Sequence, residues 1–217
     1  MASATKRIPT GVPGLDRLIS GGVPEGSIVL VTGAPGTGKT IFCAQFCAAN
    51  KKEDASFVCI EEETADVLIQ AEQFGIGLNG VSIISARELR FGTKQKPNDL
   101  EERINLLLEK LKETGAKALA IDSVSSLEIV DSDKTRTIIE RLIEGLKELG
   151  ATVILTGEAI NGDYPDMFTP FLSDGIIKLY LEEGEGKRKL TIPKMRLTEQ
   201  GDNTYLIRID KGGLRVL

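Results

Sequence analysis

One stretch, Gly33-Ala34-Pro35-Gly36-Thr37-Gly38-Lys39-Thr40, constrains the fold of this chain more than any other. It satisfies the pattern G-x-x-x-x-G-K-[ST] in full. The run Ser27-Ile28-Val29-Leu30-Val31-Thr32 before it reads as a buried strand. The run Ile41-Phe42-Cys43-Ala44-Gln45-Phe46-Cys47 after it reads as a helix. A glycine-rich loop between a strand and a helix N-terminus aims backbone N–H groups and the positive end of the helix dipole at an anion. Gly33, Ala34, Pro35, Gly36, Thr37, Gly38, Lys39, Thr40 and Ile41 are therefore the expected nucleotide contacts. Lys39 is expected on the β- and γ-phosphates, and the Thr40 hydroxyl on Mg²⁺. The alternative is an ordinary glycine turn, and the strand–loop–helix context argues against it.

The same alternation continues along the chain. Residues 56–60, 81–84, 118–121 and 151–156 are further strand-like runs. Between them lie three helical patterns. Val67, Leu68, Ala71 and Phe74 are expected on one helix face. Leu100, Ile104, Leu107, Leu108 and Leu111 form a second stripe, stopped by Gly115. Ile138, Leu142, Ile143, Leu146 and Leu149 form a third, closed by Gly150. Residues 91–98 are polar, contain Gly92 and Pro97, and read as a loop. Buried strands without period-two alternation, separated by amphipathic helices, indicate a mainly parallel central sheet flanked by helices. After residue 175 the character changes. Residues 176–182, 188–192 and 205–209 have strand composition with short turns between them, an antiparallel C-terminal extension. The expectation is one α/β domain over residues 1–217.

Composition removes several chemistries. The chain has no histidine, which excludes Ser-His-Asp hydrolysis, histidine proton transfer and histidine zinc sites. Proton transfer falls to carboxylates, Lys, Tyr or water. Cys43, Cys47 and Cys59 are an odd set in no framework spacing, which fits a reducing compartment. Cys43 and Cys47 share a helix face, a geometry open to half of a metal site. No third soft ligand is near in sequence, and buried packing is the expected role. No apolar run approaches membrane-spanning length, and no apolar segment follows Lys6-Arg7 as a secretory signal would require. A cytoplasmic protein is expected. A net charge of −5 argues against a large nucleic-acid footprint and leaves room for a local basic patch.

Three further features bear on what happens to a bound nucleotide. Asp122 ends an apolar strand, where an acid near the glycine loop holds Mg²⁺ directly or through water. Glu61-Glu62-Glu63 follow Ile60, where a carboxylate can orient or deprotonate the attacking water. They also suit the first turn of a helix, and position alone leaves both readings open. Lys194 and Arg196 are two residues apart on a strand-like segment, which puts both on one face about 7 Å apart. Two cations there suit a polyphosphate clamp. Spacing alone favours a charge-protected edge strand, and Pro193 fits an edge or bulge.

On these residues the chain resembles the RecA-type P-loop ATPases, and within them the KaiC-like family. Arg7-Ile8-Pro9-Thr10-Gly11-Val12-Pro13-Gly14-Leu15-Asp16 and Gly21-Gly22-Val23-Pro24-Glu25-Gly26-Ser27 resemble its opening signature. Ile121-Asp122-Ser123-Val124 is similar to its Mg²⁺-site strand. Phe171-Leu172-Ser173-Asp174-Gly175 and Lys194-Met195-Arg196 are similar to its later motifs. The resemblance implies a RecA-like fold and a homo-oligomeric ring, usually a hexamer, with ATP between subunits. It implies a catalytic glutamate pair after the second core strand. It also implies that Lys194 and Arg196 reach the neighbouring subunit's γ-phosphate, which turns the reading of both toward catalysis.

The chain departs from the family pattern in several places. Three glutamates, not two, precede Thr64. Counting from Phe57 selects Glu61 and Glu62, whereas counting back from Thr64 selects Glu62 and Glu63. Glu62 is common to both and is the expected base, with Glu61 as its companion. Leu197 stands where the family usually has Gly, and the His expected a few residues later is absent, so nucleotide contacts from that loop do not carry over. The circadian clock protein has two such domains. Clock-type autophosphorylation in a second domain does not carry over to this one, and no Ser or Thr is marked out by spacing as a phosphate acceptor.

The expectation is an ATP-binding, slowly hydrolysing ring ATPase with ATP and Mg²⁺, in a regulatory or signalling role with an unidentified protein partner. A RadA/RecA-like DNA-repair ATPase is a second reading. Its DNA loops would fall near residues 127–137 and 159–173. The first contains only Lys134 and Arg136 as cations, and the second contains Asp163 and Asp166 and no Lys or Arg. DNA is therefore disfavoured. A nucleotide-dependent scaffold without turnover is a third reading.

Overall fold

Apolar runs without alternation need cover on both faces, and they occupy the middle of a nine-stranded sheet. The computed structural model describes residues 5–85, 100–127, 132–159, 164–165, 168–182, 184, 186–199, 201 and 203–217. The loop expected at 91–98 lies outside them, as do parts of the two segments weighed for DNA. The N-terminal segment contains β1 (Arg7–Ile8), α1 (Leu15–Leu18) and β2 (Val23–Pro24), with β1 and β2 paired as a small antiparallel ribbon. Then follow β3 (Ile28–Gly33), α2 (Lys39–Ala49), β4 (Ala55–Cys59), α3 (Thr64–Gln73) and β5 (Ser82–Ser85). The middle comprises α4 (Leu100–Thr114), β6 (Ala118–Asp122), α5 (Ser132–Glu148) and β7 (Thr152–Glu158). The C-terminal part is α6 (Thr169–Leu172), β8 (Gly175–Leu181), β9 (Arg188–Met195), β10 (Thr204–Asp210) and β11 (Gly213–Val216).

The sheet order is β11-β10-β9-β8-β3-β7-β6-β4-β5. β3 is central, parallel to β7 on one side and to β8 on the other. β8 is also antiparallel to β9, so it joins the two halves of the sheet. Sequence composition groups residues 176–182 with the antiparallel extension, whereas the strand belongs to both halves. β11 carries no separate signal in the sequence because it is four residues long. It is held by pairing with β10 and by Leu214, which is buried.

Side chains of β3 divide between two cores, as a period of two requires. Val29 and Val31 face α2, α3 and the N-terminal segment, with Phe42, Phe46, Val67 and Ala71. Ile28 and Leu30 face α4 and α5, with Ile104, Leu107, Leu142 and Leu146. Ile104, Leu107, Leu108 and Leu111 of the second stripe, and the whole of the third, therefore pack as expected, while the Leu100 side chain lies outside the described residues. Gly115 and Gly150 end those helices in left-handed conformations, φ 63 and 64. The first stripe needs correcting. Val67 and Ala71 are buried, but Leu68 is 42% exposed because 100° of rotation takes it off the stripe.

The three cysteines pack in the α2-side core, where burial pushes the Cys59 thiol up to about 12. Pro193 sits where a missing N–H costs nothing, since β10 pairs with β9 only at residues 188–191. A register shift between Ile176 and Lys178 lies across from it. Among the described residues no helix is long and apolar enough to cross a membrane.

Candidate functional site

The loop between β3 and α2 has the shape its glycines allow. Gly36 and Gly38 are left-handed, φ 76 and 107, so the chain turns tightly into the helix. A Cβ on Gly33 would lie 2.2 Å from the Leu179 carbonyl oxygen, and one on Gly38 would lie 2.6 Å from Ile209 Cδ1. Gly33 therefore needs glycine for reasons of space, because the obstacle is backbone, whereas Gly38 needs it for its left-handed φ, because the Ile209 side chain can give way. Thr37 Oγ1 donates to the Ala34 carbonyl at 2.8 Å and closes the loop. Lys39 Nζ donates to the carbonyls of Gly33 at 2.9 Å and Ala34 at 3.2 Å. The ammonium is thus held over the loop crown, beside the N–H groups of the first turn of α2 that have no helical partner.

Strand ends bring the acids to this loop. Asp122 terminates β6 and is buried. Its Oδ2 accepts from Thr40 Oγ1 at 2.6 Å, and its Oδ1 accepts from the Thr156 hydroxyl on β7. Burial pushes its carboxyl above the usual range, while those two hydrogen bonds pull it down. Cys59 of β4 is in register with Asp122, so Glu61 and Glu62 emerge just beyond the same sheet edge. Ser123 Oγ donates to Glu61 Oε1 at 2.5 Å. Partial burial raises the Glu62 carboxyl, helped by the charges of Asp122, Glu61 and Asp66. α3 begins at Thr64, so Glu61 and Glu62 lie in the connection, Glu63 is the N-cap, and the acid of the first turn is Asp66.

These groups surround one cavity of about 360 Å³. Pro35, Gly36, Gly38, Lys39, Thr40, Ile41, Glu61, Glu62 and Asp122 line it, all named from sequence. Its lining contains Glu61 and Glu62 and does not include Glu63. Five lining residues were not singled out as site residues: Gln70, Phe74, Glu158, Arg188 and Ile209. Gln70 on α3 and Phe74 at its C-cap are about one helical turn apart, a signal open to sequence reading had Phe74 not been assigned to the core. Arg188 begins β9, and its Nη2 lies 3.5 Å from the Gly36 carbonyl. Nothing in local spacing connects residues 36 and 188.

Lys194 and Arg196 are not at this cavity. Arg188 pairs with Leu181 and Lys194 with Ile176, so they mark opposite ends of β9, roughly 20 Å apart at about 3.4 Å per residue. β9 ends at Met195, so Arg196 lies beyond the strand whose alternation was used to place it. Lys194 Nζ donates to the carbonyls of Pro170 at 3.1 Å, Phe171 at 3.2 Å and Ser173 at 2.5 Å, closing the end of α6. Burial, then the Arg196 charge, push the Lys194 ammonium below its ordinary value. Arg196 Nη1 pairs with Asp174 Oδ1 at 2.8 Å, with its side chain 56% exposed.

Residues 8–217 match the family model described as "ATPase: KaiC". UPF0273 protein MJ1359 of Methanocaldococcus jannaschii is 34% identical over 235 residues, covering 97% of this chain and 96% of the relative. UPF0273 protein MK0039 of Methanopyrus kandleri is 36% identical over 233 residues, covering 98% and 92%. The crystal structure of KaiC-like protein PH0186 from Pyrococcus horikoshii superposes with a TM-score of 0.83 at 32% identity, covering 98% of this chain and 99% of that one.

Proposed function

The chain belongs to the KaiC ATPase family, and on that premise we propose that it binds ATP with Mg²⁺ and hydrolyses it slowly, at a site completed by a second copy in a ring. The observation that carries the reading is the convergence of Lys39, Thr40, Asp122, Glu61 and Glu62 on one cavity of about 360 Å³. The loop fits a polyphosphate, because left-handed Gly36 and Gly38 turn the chain tightly into the N-terminus of α2, whose first N–H groups have no helical partner. Those N–H groups and Lys39 hold the β- and γ-phosphates. Thr40 and Asp122 present two hard oxygens, a donor set suited to Mg²⁺. When bound, the metal supplies charge neutralisation on the phosphate oxygens.

Glu62 takes the proton of the attacking water. Its raised carboxyl pKa makes it a better base, and a positioned base contributes about 10²–10⁴ in rate. Glu61, tied to Ser123, keeps a second carboxylate beside it. Arg196, more than half exposed, reaches the γ-phosphate of the neighbouring copy, with Lys194 beside it. Such an arginine is worth roughly 10³–10⁵. What supports a contribution in trans is that both cations lie at the far end of β9 from their own cavity.

A ring, expected to be a hexamer, with slow turnover suits a regulatory or signalling role exercised through a protein partner. The test is size-exclusion with light scattering, with and without MgATP, on wild type and Lys39→Ala, with phosphate release read on the same samples. Assembly and release in wild type, and neither in Lys39→Ala, is the expected result. Assembly without any release selects the scaffold reading instead. A MgATP-saturated monomer that hydrolyses at full rate sinks the shared site.

A further inference from the structure

Asp174 stands between the strand that leads to the phosphate loop and the arginine just beyond β9. Its backbone N–H donates to the Ile28 carbonyl at 2.8 Å, and its Oδ2 accepts from the Ile28 N–H at 3.1 Å. Backbone and carboxylate are therefore both fixed to the first residue of β3. On the other side, the Arg196 N–H donates to the Asp174 carbonyl at 2.9 Å, and Arg196 Nη1 donates to Asp174 Oδ1 at 2.8 Å. Arg196 is thus tied to one residue twice, by backbone and by side chain. Lys147 Nζ also faces this carboxylate, 4.0 Å from Oδ1. The segment before Asp174 is held as well, because Lys194 spends its N–H donors on the carbonyls of Pro170, Phe171 and Ser173.

The Asp174 side chain is 17% exposed and that of Arg196 56% exposed. An ion pair so open to water adds little to stability. What it fixes is direction. A guanidinium carries its N–H donors in a rigid planar fork. Among the described residues only Nη1 of Arg196 has an acceptor, so the other donors remain for an anion from outside the chain. We propose that Asp174 is the positioning residue of Arg196: anchored on β3, its carboxylate aims the guanidinium and does not itself touch the phosphate. A misplacement of about 1 Å costs on the order of 10²-fold in rate, so an aimed arginine serves turnover where a freely rotating one does not. This inference rests on the shared-site reading above. The competing role for Asp174 is support of its own phosphate loop through Ile28 and β3. The two roles predict opposite outcomes when subunits are mixed.

Asp174→Asn is the test. An amide oxygen still accepts from the Ile28 N–H, but the charge that holds Arg196 is gone. The variant should melt near wild type, bind a fluorescent ATP analogue with unchanged affinity and lose about 10–100-fold in turnover. Mixed with Glu62→Gln, whose Arg196 is intact, it should release phosphate faster than the sum of the two alone. Mixed with Arg196→Ala it should show no gain, since neither copy offers a well-placed arginine. Asp174→Glu keeps the charge and shifts the oxygens by one methylene. It should show the same pattern with a smaller loss, and it carries the test if Asp174→Asn does not fold. Arg196→Ala mixed with Glu62→Gln reads the shared site alone, and no recovery there overturns that site and this inference with it. Given recovery there, this inference alone is overturned if Asp174→Asn turns over like wild type, gains nothing from Glu62→Gln, or is rescued by Arg196→Ala.

Discussion

Thr40 Oγ1 donates a 2.6 Å hydrogen bond to Asp122 Oδ2, joining residues 82 apart in sequence. The two strands that lead to them, β3 and β6, are separated by β7 and so lie roughly 10 Å apart, two spacings of about 4.8 Å. Side chains bridge that gap at one end of the sheet, where the loop glycines, the first turn of α2 and the buried carboxylate meet. The proposed Mg²⁺ site is this bond and its surroundings, and the first expectation concerns its acid.

Asp122→Asn should raise the thermal midpoint of the nucleotide-free protein at neutral pH. Burial raises the folded carboxyl pKa above its unfolded value, so the fold favours the protonated form. The stability this provides is present below the unfolded pKa and lost as pH rises through the folded one. The neutral amide escapes that loss. The gain should therefore grow with pH across the acidic range and level off above the folded pKa. The same variant should weaken Mg²⁺-dependent nucleotide binding by more than the 10–100-fold typical of losing a supporting group, roughly speaking. Melting curves from pH 4 to 8, with and without MgATP, read both. A midpoint that falls at pH 7 contradicts the sign.

Glu62→Gln should keep ATP affinity and lose about 10²–10⁴ in kcat. Glu61→Gln and Ser123→Ala should lose less, and by similar amounts, because they remove the two ends of one hydrogen bond. The base works deprotonated, so kcat should rise with pH through a value above that of an ordinary glutamate. Single-turnover phosphate release across pH measures it. An acid limb at the ordinary glutamate value would remove Glu62 from the role.

Lys39→Ala should weaken ATP binding by about 10²-fold or more, since it removes the cation held over the loop crown. Without nucleotide its melting should stay close to wild type, because Lys39 bonds two loop carbonyls and no distant element. Titration with a fluorescent ATP analogue, alongside a melt, separates the two effects.

Arg188→Ala and Arg196→Ala should fail differently. Arg188 begins β9 at its own cavity, and its removal should weaken ATP binding by about tenfold while leaving the exposed Arg196 face intact. Arg196→Ala should leave binding to the isolated copy unchanged, lower turnover by roughly 10³–10⁵ and abolish MgATP-dependent assembly. Equal losses of affinity in both variants would argue against a division of β9 between two sites.

The sequence by itself determined most of what depends on local periodicity and local geometry, the place of Leu68 on α3 excepted. The glycine spacing of 33–40 specifies a phosphate-binding turn, because left-handed backbone and close approach need glycine there. Apolar runs without alternation specify a covered parallel sheet, and the stripes ending at Gly115 and Gly150 specify its helices. Tertiary structure decided what depends on register between distant strands. Pairing of Cys59 with Asp122 brings Glu61 and Glu62 to the cavity that Asp122 lines, and the lining does not include Glu63. Pairing of Leu181 with Arg188 and Ile176 with Lys194 puts one cation at the cavity and the other at the far end of the same strand. Leu197 is apolar in any hydropathy pattern, yet it sits 73% exposed in a turn with φ 58, and its carbonyl accepts from Arg7, a residue far away in the chain. A side chain's type is written in the chain, but its neighbours across a sheet are set by hydrogen-bond register, which no local spacing encodes.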